Sequence, residues 1–142
     1  MLTLKSNLKS VTENNFISQV SGFLESIPVT ESQVNVDTKK SCFSISYWHT
    51  KQGYQKHGYG VETLKKNLEN LVSVFGIPEN FEYIWNGANQ YVLDWLINNF
   101  DAKPVESLAI AKYEAGESWE GHVYVLNREK VVRFFFGEYA VF

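Results

Sequence analysis

Apolar residues fall at helical spacing in the first strongly patterned stretch of the chain. Phe16, Ile17, Val20, Phe23, Leu24 and Ile27 share one face. Thr12 stands as a candidate N-cap, Val11 and Phe16 are placed as a hydrophobic staple, and Pro28 supplies a stop. The pattern predicts a first helix, with Gly22 as close packing or slack within it. Alternation then replaces the helical period. Gln33 to Asp37 and Cys42 to Trp48 predict a β-hairpin around the polar loop Asp37 to Ser41, with Phe43, Ile45 and Tyr47 facing one way and Cys42, Ser44, Ser46 and Trp48 the other.

Val61, Leu64, Leu68, Leu71, Val72 and Phe75 give the cleanest amphipathic helix, ended by Gly76 and Pro78. Residues 81–85 suit either a strand or a short helix, and Asn86-Gly87 breaks them in both cases. From Ala88 a further helix runs to Phe100, with Tyr91, Val92, Trp95, Leu96 and Asn99 along one side. The last third predicts a meander of three strands, Val105 to Tyr113, His122 to Asn127 and Val131 to Phe136. Both faces of the later strands are apolar, so they are expected to be central or covered by a partner.

Strands and helices are grouped more than they alternate. The expected fold class is α+β: a single globular domain over residues 1–142, with a mainly antiparallel sheet (hairpin 33–48 plus C-terminal meander 105–136) and about three helices packed on it. Length agrees, since 142 residues suit one core. Hydrophobic residues make up 44% and aromatic residues 15%, which excludes a disordered chain. The sequence has no apolar run near the roughly 20 residues of a membrane helix, and the N-terminus lacks the apolar core of a secretory signal. With Cys42 as the single cysteine, a cytoplasmic setting is expected.

Charge changes the picture more than composition does. Residues 1–66 carry 8 Lys+Arg and 5 Asp+Glu, and the remaining 5 basic and 11 acidic residues leave the second half strongly negative. Such asymmetry suggests a charged partner.

Two stretches concentrate candidate chemistry. Tyr47 to Gly60 gathers aromatic residues, His49, His57, Lys51, Lys56, Gly53, Gly58 and Gly60 between a strand and a helix. Its glycines and the helix start could receive a phosphate, although neither phosphate-loop nor dinucleotide spacing is present. Nucleic-acid stacking on its tyrosines is disfavoured by the overall acidity. His49 and His57 lie too far apart for one helical face, and no metal set is expected. The second stretch, Glu114 to His122, reads as an acidic hairpin tip around Trp119.

With no catalytic constellation in view, the leading expectation is a non-enzymatic, acidic, protein-binding domain. An inhibitor or immunity protein that occludes a basic toxin or nuclease fits that description. Acidic groups would speed encounter and aromatic anchors would supply affinity. Its partner-binding residues would be Trp48, His49, Tyr54, His57, Tyr59, Glu114, Glu117, Trp119, Glu120 and His122, with no cofactor, no membrane and a homodimer through the apolar strand faces as an option. The alternative is a small enzyme or ligand-binding domain whose pocket is lined by His and Glu.

Overall fold

The computed structural model describes residues 1–137. Their strands join in one 7-stranded sheet ordered β1-β2-β3-β4-β5-β7-β6. Four long strands come first: β1 (Leu2–Ser10), β2 (Asn15–Leu24), β3 (Ile27–Asp37) and β4 (Cys42–Thr50), paired as an antiparallel meander. Helix α1 (Tyr59–Phe75) then crosses to β5 (Glu82–Asn86), which runs parallel to β4. Helix α2 (Gln90–Phe100), β6 (Lys103–Pro104), α3 (Ser107–Glu114), β7 (Val123–Val125) and α4 (Arg128–Phe136) complete the described chain. The α+β class and the mainly antiparallel sheet stand, with four helices rather than three among the described residues.

The expected first helix is instead the β2–β3 hairpin. Its turn is Glu25-Ser26, with φ of 48° and 72°. Two successive left-handed residues form the turn whose twist suits a tight hairpin, and it is built here without Gly or Asn. The inward positions are Ser18, Val20 and Gly22 on β2, opposite Val34, Ser32 and Thr30 on β3. They are small because α1 lies close over them. A Cβ on Gly22 would sit 2.6 Å from Thr30 Cγ2. A strand whose buried face is Ser, Val and Gly shows little hydrophobic alternation, and the helical period of its other residues is incidental.

Helix α1 is anchored on that face by Asn67. This fully buried side chain donates through Nδ2 to Ser18 O, Ser32 O and Ser32 Oγ at 3.1, 3.2 and 3.1 Å. Leu64, Leu68 and Leu71 pack beside it with Val34, Val36, Phe43 and Ile45. Gly76 ends the helix with φ 133°, its N–H bonded to Val72 O, as the sequence predicts.

In β4 the expected faces hold only as far as Ile45. Val34 pairs with Ile45 but Gln33 pairs with Tyr47, so Ser46 is an extra residue in β4. Such a bulge reverses which side the following residues face. Trp48 therefore turns inward and Tyr47 turns out to 47% exposure. Residues 81–85 resolve as strand, with Tyr83 and Trp85 inward and the Tyr83 hydroxyl donating to Pro78 O at 2.8 Å.

The C-terminal meander is corrected to one short strand between helices. Asn127 caps α4 by accepting from Lys130 N at 3.0 Å. Val131, Val132, Phe135 and Phe136 are then buried at helical spacing. β-branched and aromatic residues favour strands intrinsically, but here burial of one helical stripe wins. Helix α3 replaces the segment expected as the first strand of that meander, and among its residues Ala109 is the buried one.

The helices pack on one face of the sheet. The opposite face of β2 to β4 carries Gln19, Ser21, Glu31, Gln33, Asn35, Ser44, Tyr47 and His49, all partly or fully exposed. The link 11–14 between β1 and β2 is a short turn and adds no cover to it.

Candidate functional site

The site arises where two neighbouring strands part. β4 and β5 pair in parallel from Cys42↔Glu82 to Ile45↔Trp85 and no further. Beyond Ile45, β4 continues through the bulge to Thr50, while β5 ends at Asn86 and the chain turns through Gly87 into α2. Among the described residues, the backbone of 46–50 thus has no strand partner on its β5 side. A cavity of about 210 Å³ occupies the gap, lined by Ser46, Tyr47, Trp48, Trp85, Asn86 and the start of α2. Tyr47 and Asn86 belong to the open face and Trp48 and Trp85 to the helix-covered face, so the cavity takes its lining from both faces of the sheet.

On the covered side it meets a larger cleft of about 600 Å³ that shares Trp48, Asn89 and Val92 with it. One wall is β4 and the loop leading to α1; the other is α2, with Tyr91, Val92 and Trp95. The floor is aromatic. Trp48 stacks on Trp95 at 5.1 Å and meets Trp85 edge-on at 5.4 Å, and its Nε1 donates to Gly60 O at 2.7 Å.

Local rules explain why the loop from Lys51 to Gly58 delivers a helix start into this cleft. Tyr54 N bonds Lys51 O and Gln55 Nε2 bonds Thr50 O, closing a compact turn with Gly53 at φ 95°. Gly58 at φ 79° caps α1 without any side-chain acceptor. Gly60 permits close approach to β4, since a Cβ there would sit 3.0 Å from Thr50 Oγ1 and 3.1 Å from the Trp48 ring. The first intrahelical bond is Glu62 N to Gly58 O, so the preceding amides of the first turn have no helical acceptor, and they belong to residues 59–61, which line the cleft. Helix α2 differs, because Asn89 Oδ1 accepts from Val92 N and occupies its N-terminus. An uncapped helix start carries partial positive charge and aligned donors, which together suit an anion. Lys56 also lines this cleft.

The ten residues expected to bind a partner divide into two groups. Trp48, His49, Tyr54 and Tyr59 line the cleft, and His57 stacks on Tyr59 at 5.4 Å. The second group lies elsewhere, at the end of α3 and in the loop from there to β7. Trp119 is buried, stacked on Tyr113 and edge-on to Tyr124, so it is core rather than an exposed anchor. Glu114, Glu117 and Glu120 are exposed. His122 Nδ1 lies 3.0 Å from Glu106 Oε2, and Glu106 Oε1 accepts from Val123 N at 3.0 Å. These two bonds hold the Glu106 carboxyl below its usual range, the His122 bond contributing most. Both stretches touch the segment 87–92. Gly121 N bonds Ala88 O and Ser118 Oγ donates to Gln90 on one side, while Asn89, Tyr91 and Val92 face the cleft on the other.

Sequence reasoning missed Gln55, Asn86, Asn89, Tyr91, Val92 and Trp95 as cleft residues. Only the strand parting, a product of topology, brings them to the loop. Among the described residues no group of three His, Cys, Asp or Glu could hold a metal ion, and no helix is long and apolar enough to cross a membrane.

No family model matches the sequence, and no curated protein matches it. Solved structures do match the fold. The PaiA N-acetyltransferase of Thermoplasma acidophilum, in complex with coenzyme A, superposes with a TM-score of 0.55 at 12% identity, over 78% of this chain and 60% of that one. A GNAT family acetyltransferase from Elizabethkingia anophelis with acetyl-CoA bound gives 0.54 at 10% identity, over 88% and 95%. One from Staphylococcus aureus Mu50 gives 0.55 at 9%, over 79% and 68%. The chain thus spans less than two-thirds of the Thermoplasma enzyme. At these identities the likeness is one of fold, and the fold is GNAT-like. It overturns the expectation of a non-enzymatic immunity protein or toxin inhibitor with a protein partner: the matching structures are acetyltransferases, two of these three with coenzyme A or its acetyl ester bound. The alternative of a small enzyme fits better, although its pocket is lined by aromatic residues more than by His and Glu.

Proposed function

We propose that the protein is an acyltransferase that takes its acyl group from a coenzyme A thioester. One observation carries the reading: an uncapped, glycine-shaped helix start lines a cleft that adjoins the gap where β4 and β5 part. The diphosphate of the donor would lie on the first-turn amides of α1, near Lys56. Its slender pantetheine arm would pass Trp48 and Asn89 between β4 and β5. The thioester would then reach the open face beside Ser46 and Tyr47.

Acyl transfer at that point asks little of the protein. An acceptor nitrogen attacks the thioester carbonyl, the C–S bond breaks, sulfur leaves as thiolate and the nitrogen loses a proton. Backbone N–H groups of β4 that β5 does not claim can stabilise the oxyanion in passing. His49, which borders the cleft with its ring 6.2 Å from that of Tyr47 on the open side of β4, would receive the proton. The same reading treats residues 1–142 as one globular domain, and fits a cytoplasmic setting where acyl-CoA and the reduced Cys42 coexist.

Equilibrium binding of acetyl-CoA, followed by quenching of Trp48 and Trp95 fluorescence, tests the reading. Saturable binding that is lost in Gly58→Val supports it. Absence of binding at millimolar acetyl-CoA would sink it. Release of free thiol in the presence of an amine panel then tests turnover, and His49→Ala should lower turnover far more than it weakens binding.

A further inference from the structure

The cleft is larger than the diphosphate and the arm require, and its surplus is aromatic. In coenzyme A the diphosphate lies between the pantetheine arm on one side and the nucleoside on the other. If the diphosphate sits at the α1 start, the arm that carries the thioester takes the gap of about 210 Å³ where the two strands part. The nucleoside must then lie in the opposite direction, in the wide part of the cleft of about 600 Å³. Tyr54, Tyr59, Tyr91 and Trp95 line that part.

Their roles are not equal. Tyr59 is stacked on His57, and Trp95 is stacked on Trp48 with its edge contacts to Phe100 and Phe134. Tyr91 is different: it stands in the first turn of α2, is 75% exposed and makes no ring contact among the described residues. Packing does not explain a large apolar ring left in water beside an anion-binding helix start. Stacking on a base does, since every nucleobase offers a π-face and each such contact is worth about 1–3 kcal/mol.

We infer that Tyr91 is the stacking platform for the nucleobase of the acyl-CoA donor, a binding subsite separate from the amides that hold the diphosphate. This rests on the acyltransferase reading, and the test separates the two. Binding of CoA and of 4′-phosphopantetheine, which lacks the nucleoside, is measured by calorimetry for the wild type, Tyr91→Ala and Tyr91→Phe. CoA affinity is expected to fall on the order of tenfold or more in Tyr91→Ala, to be retained in Tyr91→Phe, and phosphopantetheine affinity to stay constant throughout. Unchanged CoA affinity in Tyr91→Ala, or equal loss of both ligands, overturns the inference while leaving the donor reading in place. If the wild type binds neither ligand, the acyltransferase reading fails and the subsite with it. Exposure of the side chain makes folding of both variants secure.

Discussion

The indole of Trp48 and the carbonyl of Gly60 are joined by a hydrogen bond of 2.7 Å that ties the end of β4 to the first turn of α1. The same pair is in steric contact, because a Cβ at residue 60 would sit 3.1 Å from the Trp48 ring. Trp48 cannot yield, being held between Trp85 and Trp95. Gly60→Ala is therefore expected to destabilise the protein by about 1–3 kcal/mol through overpacking. Trp48→Phe removes two of the three crowding atoms, Thr50 Oγ1 remaining, so the double variant should lose less than the sum of the two single losses. Urea denaturation of the four proteins measures the coupling; strict additivity would refute the contact.

Asn67 is the second structural hinge of the design. Its two N–H protons are shared among three acceptors on β2 and β3, and its Oδ1 has no hydrogen-bond partner among the described residues. Asn67→Leu removes the buried bonds that tie α1 to Ser18 and Ser32, and a loss of about 1–3 kcal/mol is expected. Since α1 also presents the amides of the cleft, CoA affinity should fall as well. An unaltered denaturation midpoint would contradict this account of how α1 is seated.

Cys42 gives a chemical prediction. Burial, then Glu82 and Asp37, push its thiol up to about 11. At pH 8 the native protein should react with iodoacetamide far more slowly than the urea-unfolded chain, because the thiolate is the nucleophile. Comparable rates in the two states would show the thiol to be accessible and unperturbed.

Low pH should loosen the link between α3 and β7. Glu106 has its carboxyl lowered by the His122 and Val123 bonds, so the folded state favours its ionised form. A depressed carboxyl contributes stability above its unfolded pKa and loses it as pH falls through the folded value. Stability of the wild type should thus decline on acidification below the ordinary carboxylate range, with a shallower decline in Glu106→Gln. Parallel curves for the two proteins would remove Glu106 from the account.

Charge at the donor site can be tested independently of the aromatic groups. Lys56→Glu should weaken CoA binding several-fold at low salt, with the difference shrinking as salt rises. A difference insensitive to salt would argue for a change of loop conformation instead, Lys56 being at φ 67°.

Legibility in the sequence followed the size of the buried residues. Helix α1, the β3–β4 hairpin and α2 bury Leu, Val, Ile and Phe at regular spacing, so their periods are plain. The β2 strand buries Ser18, Val20 and Gly22 because α1 presses on it, and its turn uses Glu25-Ser26, so neither alternation nor turn residues mark it. β1 alternates Leu2 and Leu4 with polar neighbours and then becomes exposed on both sides, a weak signal at a sheet edge. The helix α4 hides behind strand-forming Val and Phe. In the cleft, the loop from Tyr47 to Gly60 stood out by composition, while its glycines and helix start suggested a phosphate that the missing spacings disfavoured. Asn86, Asn89, Tyr91 and Trp95 were not, because their nearness to it depends on a parallel crossover.

The bulge at Ser46 makes chain length, rather than side-chain identity, the information that matters at this point. Deleting this one residue would join Ile45, paired with Val34, directly to Tyr47, paired with Gln33, so that β4 would run as a regular strand with Trp48 and Thr50 still on the covered face and Tyr47 and His49 still on the open one. What the deletion removes is the bulge itself, and with it the local bend at which β4 leaves β5. Replacing Ser46 keeps the extra residue, so a one-residue deletion should weaken donor binding where Ser46→Ala or Ser46→Thr leaves it standing.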